Sequence, residues 1–271
     1  MKRVPGRATG GGETLASTRI DLNCDMGESF GAWRIDVSPA LLERISSANI
    51  ACGFHAGDPM GMEEAVLSCR EHGVAVGAHP GFPDLVGFGR REMRVSAEEV
   101  RTDLLYQVGA LAALCTSAGV ELQHVKPHGA LYNVAANDTH LAQGLVEGML
   151  SLRPRPILLA LSGSRLAQMA EEAGLRVGRE AFADRAYNQD GTLVSRSVPG
   201  AVIHDPHVIA RRAVRMIRDG EVETLDAGVI SIRADSICVH GDTPGATEIV
   251  LRLVDALHQA RIEVVALRDL V

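Results

Sequence analysis

Beyond residue 18 the chain alternates short apolar runs of β character with longer stretches whose apolar residues recur at helical spacing. RIDLNC (19–24) and SSANIACGF (46–54) read as the first two strands. Asp58-Pro59 has the form of a helix N-cap followed by proline, and it opens a helix through GMEEAVLSCREH that stops at Gly73. VAVGA (74–78) is the next strand. Ser96 and Glu99 fit a capping box for a long helix to Gly119, with Val100, Leu104, Leu111 and Leu114 near helical spacing. Strands follow at 122–125, 156–161, 175–183, 236–240 and 262–267, separated by helices at about 138–150, 164–173, 205–220 and 246–260.

Seven or eight β/α units in series favour a parallel sheet, closed as a TIM-like barrel or doubly wound. The expectation taken forward is an irregular TIM-like (β/α) barrel formed as a single catalytic domain by residues 19–271. Residues 1–18 are expected to be a flexible N-terminal tail.

Composition narrows the function classes. A net charge of −7 argues against a nonspecific nucleic-acid binder, which carries a basic surface. No apolar run approaches the roughly 20 residues needed to span a bilayer, and the N-terminus lacks the apolar stretch of a signal peptide. The expectation is a cytoplasmic protein with a small-molecule substrate and neither nucleic-acid nor membrane partners. Cys24, Cys52, Cys69, Cys115 and Cys238 form no C-x-x-C pair and read as reduced, buried thiols. Of 27 basic residues only Lys2 and Lys126 are lysine, so the folded body has one.

Polar residues gather where strands end: Asn23, Asp25 and Glu28 after the first, His55 and Asp58 after the second, His79 after the third. Lys126 and His128, Asp184 and Arg185, and His240 and Asp242 follow later strands. Such ends share one face in α/β folds, where ligand sites form. In DLNCDMGE (21–28) the acids Asp21, Asp25 and Glu28 call for solvent or a cationic partner. The Gly/Pro-rich segment 77–93 can cover a pocket and offer Arg90 and Arg91 to a carboxylate or phosphate; the 184–205 segment carries Asp184 and Arg185 with a turn at Asp190-Gly191. Walker A, G-x-G-x-x-G, G-x-S-x-G and H-E-x-x-H patterns do not occur.

The blocks DLNCDMGE, ACGFHAGDP, GAHPGFPD, VKPHGALY and VHGDT resemble the signature blocks of the LamB/YcsF family, whose members form the A subunit of ATP-dependent 5-oxoprolinase. The resemblance runs from about Arg19 to Val271 and takes in EAFADRAY and SRSVPGAVIHD. It implies a seven-stranded, distorted barrel of the glycoside hydrolase/deacetylase type. It also implies ATP-driven opening of the 5-oxo-L-proline (pyroglutamate) lactam to L-glutamate, with ATP and Mg²⁺ as cofactors and 5-oxoprolinase subunits B and C as partners.

On this basis Asp25, Lys126, His128 and His79 are candidate catalytic residues. Asn23, Glu28, His55, Asp58, Arg90, Asp184, Arg185, His240 and Asp242 are candidates for binding substrate or ATP. Lys126 with Arg90 or Arg185 would stabilise phosphoryl or carboxylate charge, and Asp25 or Glu28 would position Mg²⁺ or act as base. Two alternatives stand beside this. Asp25, His55 and His79 form a set able to bind a transition metal for a metal-dependent deacetylase or amide hydrolase. The chain could instead be a non-catalytic substrate-binding subunit.

Overall fold

A computed structural model describes residues 18–35, 38–239 and 245–271. The expected tail, apart from Thr18, lies outside the described residues, as do His240 and Asp242. In chain order the elements are β1 (Thr18–Met26), α1 (Pro39–Leu42), β2 (Ser47–Ala51), α2 (Pro59–His72), β3 (Ala75–His79), α3 (Ala97–Ala118), β4 (Leu122–Val125), α4 (Gly129–Ala135) and α5 (Thr139–Ser151). Then come β5 (Ile157–Leu161), α6 (Arg165–Glu172), β6 (Val177–Phe182), α7 (Pro206–Arg218), β7 (Glu221–Glu223), β8 (Val229–Ser231), β9 (Ser236–Val239), α8 (Ala246–Gln259), β10 (Ile262–Val264) and a short 3-10 turn (Leu267–Asp269).

Local signals set the helix ends. Asp58 caps α2 by accepting from Gly61 N–H, and Ser96 with Glu99 closes a capping box on α3. Gly73 and Gly119 end these helices in the left-handed conformation, where a Cβ is costly. Buried Val100, Leu104, Val108, Leu111 and Cys115 line one face of α3. Helix α4, of seven residues, and the β7–β8 hairpin, with strands of three, are too short for periodicity to reveal them. No described helix is long and apolar enough to cross a membrane.

Seven parallel strands close a barrel in the order β1-β2-β3-β4-β5-β6-β9, β9 pairing back onto β1. Strand β1 is shared at this seam: Asp21–Cys24 pair with β9, while Thr18–Ile20 pair with β10. Helices cover the outside, where Ile20, Leu22, Cys24, Ile50, Val76 and Ala78 join the main apolar cluster. Inside, most of the barrel is polar. Asp21, Asn23 and Asp25 alternate along β1 with the outward apolar residues and meet Ser47, Asn49, Lys126, Glu180 and Ser236. The β5 side stays apolar, with Ile157 and Leu159 packed on Leu267 of the 3-10 turn. Gly77 has no side chain because the His124 ring occupies that space: a Cβ there would lie 2.0 Å from Nε2.

Asp21 corrects the expectation that the acids of the first strand need solvent or a cation. It is fully buried away from the strand ends, and its Oδ1 accepts from the hydroxyls of Ser46 (2.7 Å) and Ser47 (2.6 Å) while Oδ2 accepts from Ser236. Burial raises its pKa from 3.8 to about 6, outweighing those three hydrogen bonds. A raised carboxyl pKa favours the folded state below the unfolded value, and the contribution is lost as pH climbs through about 6. At about 1.4 kcal/mol per pH unit this amounts to about 3 kcal/mol. Urea unfolding at pH 4 and pH 7.5 should therefore show wild type losing about that much relative to Asp21→Asn; a difference constant with pH would mean that Asp21 does not take up this proton.

Candidate active site

A cavity of about 520 Å³ opens at the carboxyl ends of the barrel strands. Asp25 and Lys126 lie at its base with Leu161 and Phe182; Glu28, His79 and His128 form one part of its lining, and Arg90, Arg185 and Arg196 another.

Lys126 organises the base. It directly follows β4, and its Nζ lies 3.0 Å from Asp25 Oδ1, 2.8 Å from Glu180 Oε1, 3.1 Å from Asn23 Oδ1 and 3.2 Å from Cys238 Sγ. Three ammonium protons thus face four acceptors. Burial alone would push the lysine pKa down, but the carboxylates of Asp25 and Glu180 beside the ammonium outweigh it and hold the pKa well above the usual range. Burial also keeps the Cys238 thiol protonated despite the adjacent ammonium. Below this layer Asn49 donates to Asp25 Oδ1 and Asn23 Oδ1, each at 2.7 Å, and accepts from His124 Nε2 at 2.6 Å. Burial pushes the His124 pKa down to about 3, so the ring is neutral.

Beside Asp25 stand three buried histidines and a glutamate. One ligand atom from each of Glu28, His55, His79 and His128 lies within 4.8 Å of the others. His79 Nδ1 is 2.7 Å from the Lys126 carbonyl, and His128 Nε2 is 2.9 Å from the Phe88 carbonyl. A carbonyl only accepts, so both of these nitrogens carry the ring proton. The nitrogens left facing each other, His79 Nε2 and His128 Nδ1, are 3.0 Å apart and in neutral rings each presents a lone pair. Two lone pairs at that distance repel unless a cation lies between them. Burial lowers the His128 pKa to about 3, so its Nδ1 keeps a lone pair directed at His79. His55 stacks on His128 with centroids 3.6 Å apart, and neither of its ring nitrogens has a hydrogen-bond partner. Burial holds His55 neutral as well. Imidazole nitrogens turned toward one another and a carboxylate fit a divalent cation, and the carbonyls that fix the ring protons are the supports such ligands use.

The structure places the sequence-derived candidates as follows. His55, His79 and His128 come together with Glu28, and Asp25, read together with His55 and His79 as a ligand set, adjoins them with Oδ2 3.4 Å from His79 Nε2. Asn23 is buried one layer below the cavity. Asp58 caps α2 and also accepts from Gly31 N–H at 2.9 Å, tying the loop after β1 to that helix. Arg90 and Arg185 line the cavity; Arg90 lies over the Phe88 ring, and Arg185 donates to the carbonyl of Val194 at 2.6 Å. Asp184 holds its loop through its carbonyl, which accepts from Ile203 N–H at 2.8 Å. The site also includes Cys238, read from sequence as a buried thiol, and residues that sequence reasoning passed over: Asn49, His124, Glu180 and Arg196. Glu180 had a signal, an acid inside the apolar run 175–183.

Fold and site define a parallel β/α-barrel protein with a buried histidine–carboxylate centre at the strand ends. The chain belongs to the LamB/YcsF family, which it matches over residues 20–271. It is 51% identical over 253 residues to the 5-oxoprolinase A subunit of Pyrococcus abyssi, covering 93% of this chain and 99% of that one. It is 52% identical to the corresponding 5-oxoprolinase protein of Thermococcus onnurineus, with the same coverage. The crystal structure of the lactam utilization protein from Thermus thermophilus superposes with a TM-score of 0.87 at 50% identity, covering 92% of this chain and 99% of that one.

Proposed function

We propose that this chain is a metal-dependent cyclic-amide hydrolase that opens 5-oxo-L-proline to L-glutamate as the A subunit of a 5-oxoprolinase. The observation that carries the metal-dependent chemistry is the pair of facing nitrogens of His79 and His128, 3.0 Å apart, beside the unpartnered ring of His55. Support for a lactam substrate comes from the relatives, which are named for 5-oxoprolinase and for lactam utilization.

Glu28, His55, His79 and His128 would hold the divalent cation. Such a cation supplies a Lewis acid for the amide carbonyl and lowers the pKa of water. Asp25 is the general base: Lys126 and Asn49 fix its Oδ1, which leaves Oδ2 on the histidine side of the cavity. It takes a proton from the attacking water and returns it to the ring nitrogen as the C–N bond breaks. Arg185 and Arg196, with Arg90 at the rim, offer guanidinium groups to the substrate carboxylate. Lys126 acts by holding Asp25 and Glu180 in place, since its protons are already engaged. ATP-dependent activation with Mg²⁺ is assigned in this scheme to partner subunits B and C, consistent with relatives that are named as one subunit of a larger enzyme.

The test is glutamate release from 5-oxo-L-proline, with and without ATP and partner subunits, using protein purified with Zn²⁺ and the same protein after chelation. Expected is a loss of at least about 100-fold on chelation, restored by Zn²⁺, and a comparable loss in Asp25→Ala. Full turnover by protein shown to be metal-free would overturn the metal-dependent scheme.

A further inference from the structure

Phe88 lies in the segment that follows β3 and is one of three described non-glycine residues with positive φ, at +54°. Its neighbours Gly87 and Gly89 could take up such a conformation without a Cβ penalty, and Gly89 does, at φ +62°. A phenylalanine in the left-handed region between two glycines is strained, and strain of this kind persists only where the surroundings over-determine it.

Those surroundings are the histidine centre. The Phe88 carbonyl accepts from His128 Nε2 at 2.9 Å. Its ring meets His55 edge-on at 5.8 Å and His128 edge-on at 5.4 Å, and Arg90 Cζ lies 5.0 Å from its centroid. The adjoining backbone is pressed against the same two imidazoles: a Cβ on Gly89 would lie 2.7 Å from His55 Cβ and 2.8 Å from His128 Cδ2. Asp84, ion-paired with Arg91, closes the turn by accepting from Gly87 N–H at 2.9 Å. The Gly89 carbonyl in turn accepts from Ala130 N–H in α4 at 2.9 Å.

Resting on the metal-dependent scheme above, we infer that Phe88 is a positioning residue for His128. Wedged against His55 and His128, its ring holds a backbone turn that three consecutive glycines would leave loose. The carbonyl thereby stays on His128 Nε2, which keeps the proton on that nitrogen and the Nδ1 lone pair directed at His79. Phe88 touches no reacting atom; it acts through the orientation and tautomer of a ligand.

The variants are Phe88→Gly, which retains the carbonyl and relieves the conformation, and Phe88→Tyr, which retains the ring. Histidine imidazole ¹⁵N spectra of the metal-free protein report the tautomer, and competitive titration with Zn²⁺ reports affinity. Wild type and Phe88→Tyr are expected to show His128 as a single Nε2–H tautomer. Phe88→Gly should show a tautomer mixture and about 10-fold weaker Zn²⁺ binding, with no fall in melting temperature. An unchanged tautomer in Phe88→Gly overturns the positioning role, whether or not affinity falls. If wild type binds no Zn²⁺, the metal scheme fails, while the tautomer comparison still decides the role of Phe88.

Discussion

Lys126→Met is expected to lower the unfolding free energy by about 3–5 kcal/mol, because it strands two carboxylates in the barrel. Glu180 is fully buried and Lys126 nearly so, and the ammonium stands 2.8 Å from Glu180 and 3.0 Å from Asp25. Methionine matches the lysine stem in length but offers no charge, so the acids must take up protons or admit water. Adding Asp25→Asn and Glu180→Gln to Lys126→Met should recover most of the loss by removing the uncompensated charges, although the triple variant lacks the base proposed above. Urea denaturation of the three proteins at pH 7 provides the comparison. A loss below about 1 kcal/mol in the single variant, the range of an exposed pair, would mean that this ion cluster does not hold the interior together.

His55→Met should separate stability from metal binding. The His55 ring is buried with both nitrogens unpartnered, a desolvation cost of about 1–3 kcal/mol that an apolar side chain of similar volume does not carry. Methionine, unbranched and adaptable, can enter the narrow slot between His128 and the glycine backbone. Without metal, the variant is expected to be at least as stable as wild type. With Zn²⁺ at about 100 times its wild-type dissociation constant, wild type should gain about 2.7 kcal/mol and the variant almost nothing. Thermal unfolding with and without Zn²⁺ gives both quantities. An equal gain in the two proteins would remove His55 from the ligand set.

Helix limits are open to inspection because their causes lie within a few residues: Asp58-Pro59 and Gly73 bound α2, and the Ser96–Glu99 box opens α3. Serial β/α alternation leads to the barrel, and polar residues after strands mark the face on which Asp25, Glu28, His55, His79, Lys126 and His128 converge. The inward orientation of the polar residues is not accessible in the same way. Along β1 the alternation of Asp21, Asn23 and Asp25 with apolar neighbours shows two faces but not which is enclosed, and polar faces are usually assigned to water. Here closure of the sheet and helices packed outside reverse that assignment, and serine, asparagine and lysine partners from distant strands satisfy the buried groups.

The histidine–glutamate cluster depended on the same closure. Sequence alone determined which residue types stand at the strand ends, because turn and strand propensities are local. Tertiary structure decided that Glu28 and His128 gather with His55 and His79, with Asp25 beside His79, and that Lys126 pairs with Asp25 and Glu180. These partners meet across as many as 101 residues of chain, and only the register of seven paired strands brings their side chains within reach.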